Sequence, residues 1–170
     1  MLTIDIVTGL VQDYIPEKGR QLLREAYAFA AEVHQGRKRD SGEPYISHPL
    51  EVAHILASMR LDLSTIAAGL LHSVLKEKEP PAEVELLRRF GPDITALVKG
   101  TTKIINVRYS SQEAYQAGSI RKLLLAMAED VRVILIRLAD RVHDMQTLEH
   151  SERDRQLAVA RETMDLYAPL

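Results

Sequence analysis

The sequence predicts an all-α fold, and three observations carry that reading. Apolar residues recur at three- and four-residue steps through most of the chain, the period of helices with one buried face. No two segments read as strands that could pair with each other. The most β-branched stretch, VRVILI at 131–136, runs on into RLADRVHDM, and that length, with Asp130 ahead of it as a cap, favours a helix over a strand.

Taken in order, residues 1–17 read as an amino-terminal extension or helix ahead of one domain over 18–170. From 18 to 35 the residues Leu22, Leu23, Ala26, Phe29, Ala30 and Val33 form one stripe, and Gly36 stops the helix. The loop RKRDSGEPY follows. Pro49 suits the first turn of a helix over 49–59, with His48 near its N-cap and Val52, Ile55, Leu56 and Met59 as its apolar set. Asp62 or Ser64 caps a third helix through Leu75, carrying Ile66, Leu70, Leu71 and Val74, and KEKEPP breaks it. Pro80 and Pro81 open a short helix to Phe90, which Gly91-Pro92 separates from another over 93–100. Residues 101–112 show no helical stripe and read as a loop. A helix resumes over Gln112–Met127, the capped run from 131 comes next, and a last amphipathic helix covers 151–167. Eight or so helices are expected.

Composition narrows the chemistry. The chain has 170 residues and no cysteine, which fits one domain and leaves only His and carboxylate as metal ligands. A formal charge of −2 gives no general attraction to nucleic acid. No apolar stretch approaches the ~20 residues of a membrane span, and the first residues lack the basic and apolar regions of a signal peptide. A cytoplasmic protein with no membrane partner is the expectation. The stop at YAPL, just past a helix, suits a domain cut from a longer protein.

Three segments place His or Asp inside apolar helical sequence: PYISHPLEVA at 44–53, GLLHSVLKEK at 69–78 and LADRVHDM at 138–145. In the last, Asp140, His143, Asp144 and Thr147 fall on one helical face. Each signal has an ordinary reading. Asp140 pairs with Arg137, Arg141 or Arg121; His143 and His72 are hydrogen-bonded core residues; His48 serves a helix start. His34, His54 and His150 read as surface or cap residues, and Arg37, Lys38 and Arg39 as a solvated loop. Taken together, two imidazoles and a carboxylate from three helices form a ligand set for a borderline divalent ion. Such an ion lowers the pKa of bound water and polarises a phosphoryl oxygen.

The segments RKRDSGEPYISHPLEVA, LDLSTIAAGLLHSVLKE, FGPDITALVKGTTKI, RKLLLAMAEDVRVILIRLADRVHDMQTL and ETMDLYAPL together resemble the amino-terminal HD-type hydrolase domain of RelA/SpoT proteins, over about residues 18–170. The resemblance implies an HD-domain helical bundle, a domain that removes the 3′-pyrophosphate of ppGpp with Mn2+, and a neighbouring synthetase. By motif, His48, His72 and Asp140 match metal ligands. Ser73 stands where the family has the Asp of the HD motif. Lys76-Glu77 replaces the Glu-Asp that positions water, which leaves Glu77 as the candidate catalytic carboxylate. The nucleotide loop reads Arg39-Asp40-Ser41-Gly42-Glu43 where Arg-Lys-Ser-Gly-Glu is usual, and His143-Asp144 replaces His-Asn. The resemblance implies Arg39, Ser41, Asp144 and Thr147 as the nucleotide-binding positions.

These departures act in one direction. Serine removes a ligand and a balancing charge. Lys76, at i+4 from His72 on a continuous helix, would face the ion and repel it, or replace its charge in a metal-free pocket, or snorkel to solvent. Asp40 and Asp144 would repel a polyanionic nucleotide. The sequence therefore favours a hydrolase-inactive domain that regulates an attached (p)ppGpp synthetase (a GTP pyrophosphokinase) through intramolecular contact. The alternatives are a Mn2+-dependent (p)ppGpp 3′-pyrophosphohydrolase with an altered metal site, and a module binding another nucleotide or nucleic acid.

Overall fold

The computed structural model describes residues 2–77, 81–105 and 129–169, leaving aside the side chains of residues 76, 77, 81 and 103–105. Helix α1 (Ile4–Leu10) starts at Thr3, whose hydroxyl accepts from the Ile6 N–H. Val7 on α1, and Val11 and Ile15 beyond it, are buried in the main core. Pro16 then opens α2 (Glu17–Val33). Of its apolar stripe, Leu23, Ala26, Phe29 and Ala30 are buried, with Leu22 and Val33 packed partly against the same core. Gly36 turns the chain at φ 78°, a left-handed conformation that costs glycine little.

The following loop folds on itself, with Arg39 N–H to Glu43 O and Tyr45 N–H to Arg37 O each at 2.9 Å. Helix α3 (Ser47–Ser58) begins earlier than expected, so His48 lies inside its first turn rather than at its cap. The reason is that the Leu50 N–H already finds the Ile46 carbonyl. Pro49 can sit there because a first-turn N–H needs no partner.

Asp62 caps α4 (Leu63–Leu71), accepting from the Thr65 N–H and hydroxyl. This helix ends before the expected Leu75. His72 is its C-cap, and a turn leads to α5 (Val74–Glu77). The Gly69 carbonyl, which a continuing helix would offer to the Ser73 N–H, accepts from His72 Nδ1 at 2.8 Å. The regular i+4 relation of Lys76 to His72 is therefore broken, and the side chains of Lys76 and Glu77 lie outside those described.

Helix α6 (Pro81–Ile105) is two arms joined at Gly91 (φ 79°, ψ 176°), with Pro92 just beyond. The break is where Gly91-Pro92 predicts it, but the second arm runs past the expected loop start at 101. Thr101 and Thr102 both donate to the Val98 carbonyl, and Gly100 lies against Val133. Tertiary packing here overrides weak helical propensity. The helix expected over Gln112–Met127 lies outside the described residues.

Asp130 caps α7 (Val131–Gln146) by accepting from the Arg132 N–H at 2.9 Å. A 3-10 turn (Leu148–His150) leads to α8 (Arg153–Glu162), in which no residue is buried. The expected amphipathic helix instead acquires its buried face in the π-helical turn Thr163–Tyr167, which returns Leu166 and Tyr167 to a small cluster with Ile134. The Thr163 hydroxyl donates to the Val159 carbonyl at 2.7 Å, and such side-chain competition accompanies a locally widened helix.

Helix α4 is the centre of the bundle, packed against α2, α3, α6 and α7, and Ile66 through Leu71 are buried all round. Among the described residues there is no strand, only one bridge between Lys38 and Pro44. The all-α architecture is thus observed among the described residues. No described helix is long and apolar enough to cross a membrane.

Candidate metal centre

Packing α3 and α7 against α4 brings together side chains that are far apart in sequence. His48 comes from the first turn of α3, His72 from the end of α4 and Asp140 from the middle of α7. All three are buried, and one donor atom from each lies within 4.8 Å of the others. His48 Nε2 is 2.9 Å and His72 Nε2 3.6 Å from Asp140 Oδ1. The two imidazoles meet edge to face, with centroids 5.1 Å apart.

Each donor is held from behind. His72 Nδ1–H donates to Gly69 O, which turns Nε2 toward Asp140. His48 Nδ1 is 2.8 Å from His143 Nδ1, so one of these nitrogens donates and the other accepts. The second carboxylate oxygen of Asp140 accepts from Arg137 at 2.5 Å, and Arg137 also donates to the Tyr167 hydroxyl at 2.9 Å. Burial alone would raise the Asp140 pKa, but His72, His48 and Arg137 overcome it and hold the carboxyl well below its ordinary value. His143 is pushed down to about 4, chiefly by burial and then by His48 and Arg39. At neutral pH the centre thus contains an ionised Asp140 beside a neutral His143.

Two imidazoles and one carboxylate at these separations suit a borderline divalent ion with three protein ligands. Among the described residues no fourth His or carboxylate joins this set. Ser73 is fully buried, and its hydroxyl is 2.9 Å from His34 Nε2. His34, expected at the surface or as a cap, is the C-cap of α2 and is only 3% exposed. It is buried because α2 packs on α4, and just beyond the end of α4 its imidazole meets Ser73.

Loop residues Arg39 and Asp40 are tied to the last turn of α7 and the segment after it. Arg39 donates to Asp144 Oδ1 at 3.3 Å and to the Thr147 hydroxyl at 3.0 Å. Asp40 accepts from Ser151 at 2.7 Å and faces Arg155 at 3.2 Å. The Ser151 hydrogen bond comes first among the causes that lower the Asp40 pKa. Ser41 instead engages Glu43. Arg37 stacks on Tyr45, whose ring lies 4.5 Å from His34 and 6.0 Å from His48.

The structure therefore gathers His48, His72 and Asp140 in one centre and Arg39, Asp144 and Thr147 in another group beside it. It adds His143 behind His48, and Tyr167 behind Arg137. His143 was legible at i+3 from Asp140, though only as a core residue. Arg137 stood among three arginines that sequence alone could not separate. Tyr167 carried no local signal.

The family model described as HD domain matches residues 26–170. A "GTP pyrophosphokinase rsh" of Brucella melitensis is 49% identical over 160 residues, covering 94% of this chain and 21% of its own length. The "Bifunctional (p)ppGpp synthase/hydrolase SpoT" of Escherichia coli is 42% identical over 170 residues, 100% of this chain and 24% of that protein. The chain thus spans about a fifth to a quarter of the curated relatives it matches. A solved structure of a metazoan ortholog of SpoT, described as hydrolysing ppGpp and acting in starvation responses, superimposes with a TM-score of 0.66 at 23% identity. The match covers 85% of this chain and 84% of that one.

Proposed function

The chain belongs to the HD domain family, and from that premise we propose that it is the HD domain of a RelA/SpoT-type protein of (p)ppGpp metabolism that has lost hydrolysis and regulates an attached (p)ppGpp synthetase by intramolecular contact. The observation that carries the proposal is Ser73. Where the resemblance implies a ligating Asp, a neutral hydroxyl is buried and engaged with His34. His48, His72 and Asp140 would still hold a divalent ion, Mn2+ in the family, which when bound would polarise a phosphoryl oxygen and lower the pKa of water. Without a carboxylate at position 73 the ion has one ligand and one balancing charge fewer. The water-positioning Glu-Asp pair of the family is also replaced, by Lys76-Glu77, and a lysine cannot act as a carboxylate base.

The nucleotide side supports the same reading. Arg39, the cation that would meet phosphate, is already paired with Asp144. Asp40 adds a second anion to the loop. A polyphosphate must displace one pairing and face two anions. Relatives named as synthetases and as a bifunctional synthase/hydrolase, several times longer than this chain, support an attached synthetase.

The gathered His48, His72 and Asp140 favour a second reading, a ppGpp pyrophosphohydrolase with an altered site in which water or Glu77 replaces the absent carboxylate. One experiment separates the two. Purified protein is incubated with ppGpp and Mn2+ while bound metal is measured. No turnover is expected, and turnover above background would refute the regulatory reading. Ser73→Asp with Lys76→Glu should raise Mn2+ affinity.

A further inference from the structure

Asp140 is a carboxylate with 6% of its surface exposed, and an ionised group so placed is costly without a partner. Its two oxygens have different partners. Oδ1 faces His48 and His72, while Oδ2 accepts from Arg137 at 2.5 Å. Arg137 sits one turn before Asp140 on α7 and is itself 7% exposed. Its other terminal nitrogen donates to the Tyr167 hydroxyl, on the π-helical turn Thr163–Tyr167. Tyr167 is 7% exposed, and Arg141 stacks over its ring at 4.5 Å while pairing with Glu162. One connected polar chain thus runs from His143 through His48, Asp140 and Arg137 to Tyr167.

We propose that Arg137, held by Tyr167, is a positioning residue: its guanidinium balances Asp140 and leaves one carboxylate oxygen facing His48 and His72, so that the pocket stays assembled without an ion. The proposal rests on the regulatory reading only in taking the pocket to work metal-free. The guanidinium does two opposed things. It supplies the positive charge that an ion would otherwise bring to Asp140, which stabilises the metal-free fold. It also repels an incoming cation and occupies the oxygen that would permit two-oxygen ligation. Tyr167 makes the carboxyl-terminal turn part of this arrangement, because without its hydroxyl the guanidinium loses one of its two fixed acceptors.

The opposed effects give a test that structural damage alone does not imitate. Arg137→Met keeps most of the side-chain volume and removes the charge. In chelator, its melting temperature should fall by roughly 10 °C, the order expected when one partner of a buried ion pair is lost from a chain of this size. In an Asp140→Asn background the same change should cost less than half as much, because the stranded charge is gone. Co2+, used as a spectroscopic probe of the centre, should bind Arg137→Met about tenfold more tightly than the unaltered chain. Arg137→Lys should return the affinity to its starting value. Tyr167→Phe, which deletes one oxygen and keeps the packed ring, should shift both readouts in the same directions by smaller amounts, and serves if Arg137→Met does not fold.

Equal losses of melting temperature in both backgrounds would overturn the proposal, as would Co2+ binding that is unchanged or weakened by Arg137→Met. Should neither form bind Co2+, the melting cycle decides. Turnover of ppGpp by the unaltered protein would end the regulatory reading and leave the role of Arg137 standing.

Discussion

Gly69→Ala tests the close contact between α3 and α4, the helices that bring His48 and His72 together. Gly69 lies on α4, one turn before His72, where α3 crosses. A Cβ added there would stand 2.5 Å from Leu56 Cδ1, 3.5 Å from Val52 Cγ1 and 3.7 Å from the Ala53 Cα. The last two are ordinary contacts, so the conflict is with Leu56 alone. Leu56 and Val52 are fully buried, and in a close-packed core the displaced methyl has no open space to enter. Overpacking of this kind costs roughly 1–3 kcal/mol. Replacing glycine by alanine inside a helix returns up to about 1 kcal/mol. The net expectation is a loss of about 1 kcal/mol, or roughly 2–4 °C in melting temperature for a chain of this length. The assay is urea unfolding of Gly69→Ala in the native background and in Leu56→Ala, where the obstructing methyls are gone. In the second background the substitution should become stabilising, so the cycle should show a coupling of roughly 1–3 kcal/mol. Stabilisation by Gly69→Ala in the native background, with additive effects across the cycle, would refute the steric argument.

Gly100→Ala should destabilise for a related reason. Its Cβ would meet two methyls of Val133 at 2.7 and 3.3 Å, and a β-branched residue in a helix cannot rotate away; thermal melting decides. Asp40→Lys with Asp144→Asn shifts the net charge around the loop by +3 and releases Arg39 from its ion pair. Calorimetric titration should show ppGpp binding on the order of tenfold tighter, more so at low salt, and an unchanged affinity would argue that the loop does not meet the nucleotide. Stability should fall on acidification below about pH 6.5. The folded pKa of His143 is lowered to about 4, so between those values the unfolded chain binds the extra proton and stability drops by at most about 1.4 kcal/mol per pH unit. Asp140, whose folded pKa is also lowered, contributes stability above its unfolded pKa that is lost at still lower pH. Urea unfolding at pH 7, 5.5 and 4.5 measures the slope, and His143→Gln should flatten its upper part.

Much of the fold was legible because its signals are local. Asp62 and Asp130 cap the helices the sequence assigns to them, Gly91-Pro92 marks the observed break in α6, and the Leu23–Ala30 stripe is buried. Propensity and periodicity act over one or two turns, and a sequence displays them directly. The departures arise where a partner from another helix or a side chain competes with the backbone. His72 takes the Gly69 carbonyl as α4 ends, and contact with Val133 accompanies the extension of α6 past 101.

By itself, the sequence determined that His48, His72 and Asp140 stand in three helical segments, and its resemblance to the family set Ser73 where a ligating Asp is expected. Only the tertiary structure decided what surrounds them. It chose Arg137 rather than Arg141 to balance Asp140, gave Ser73 to His34, and brought Tyr167 behind the centre. The physical reason lies in burial. A charged or polar group taken out of water must find its partner among whatever side chains packing delivers. Which helices meet, and at which turn, is settled by the apolar faces of the whole bundle rather than by the residues of the site.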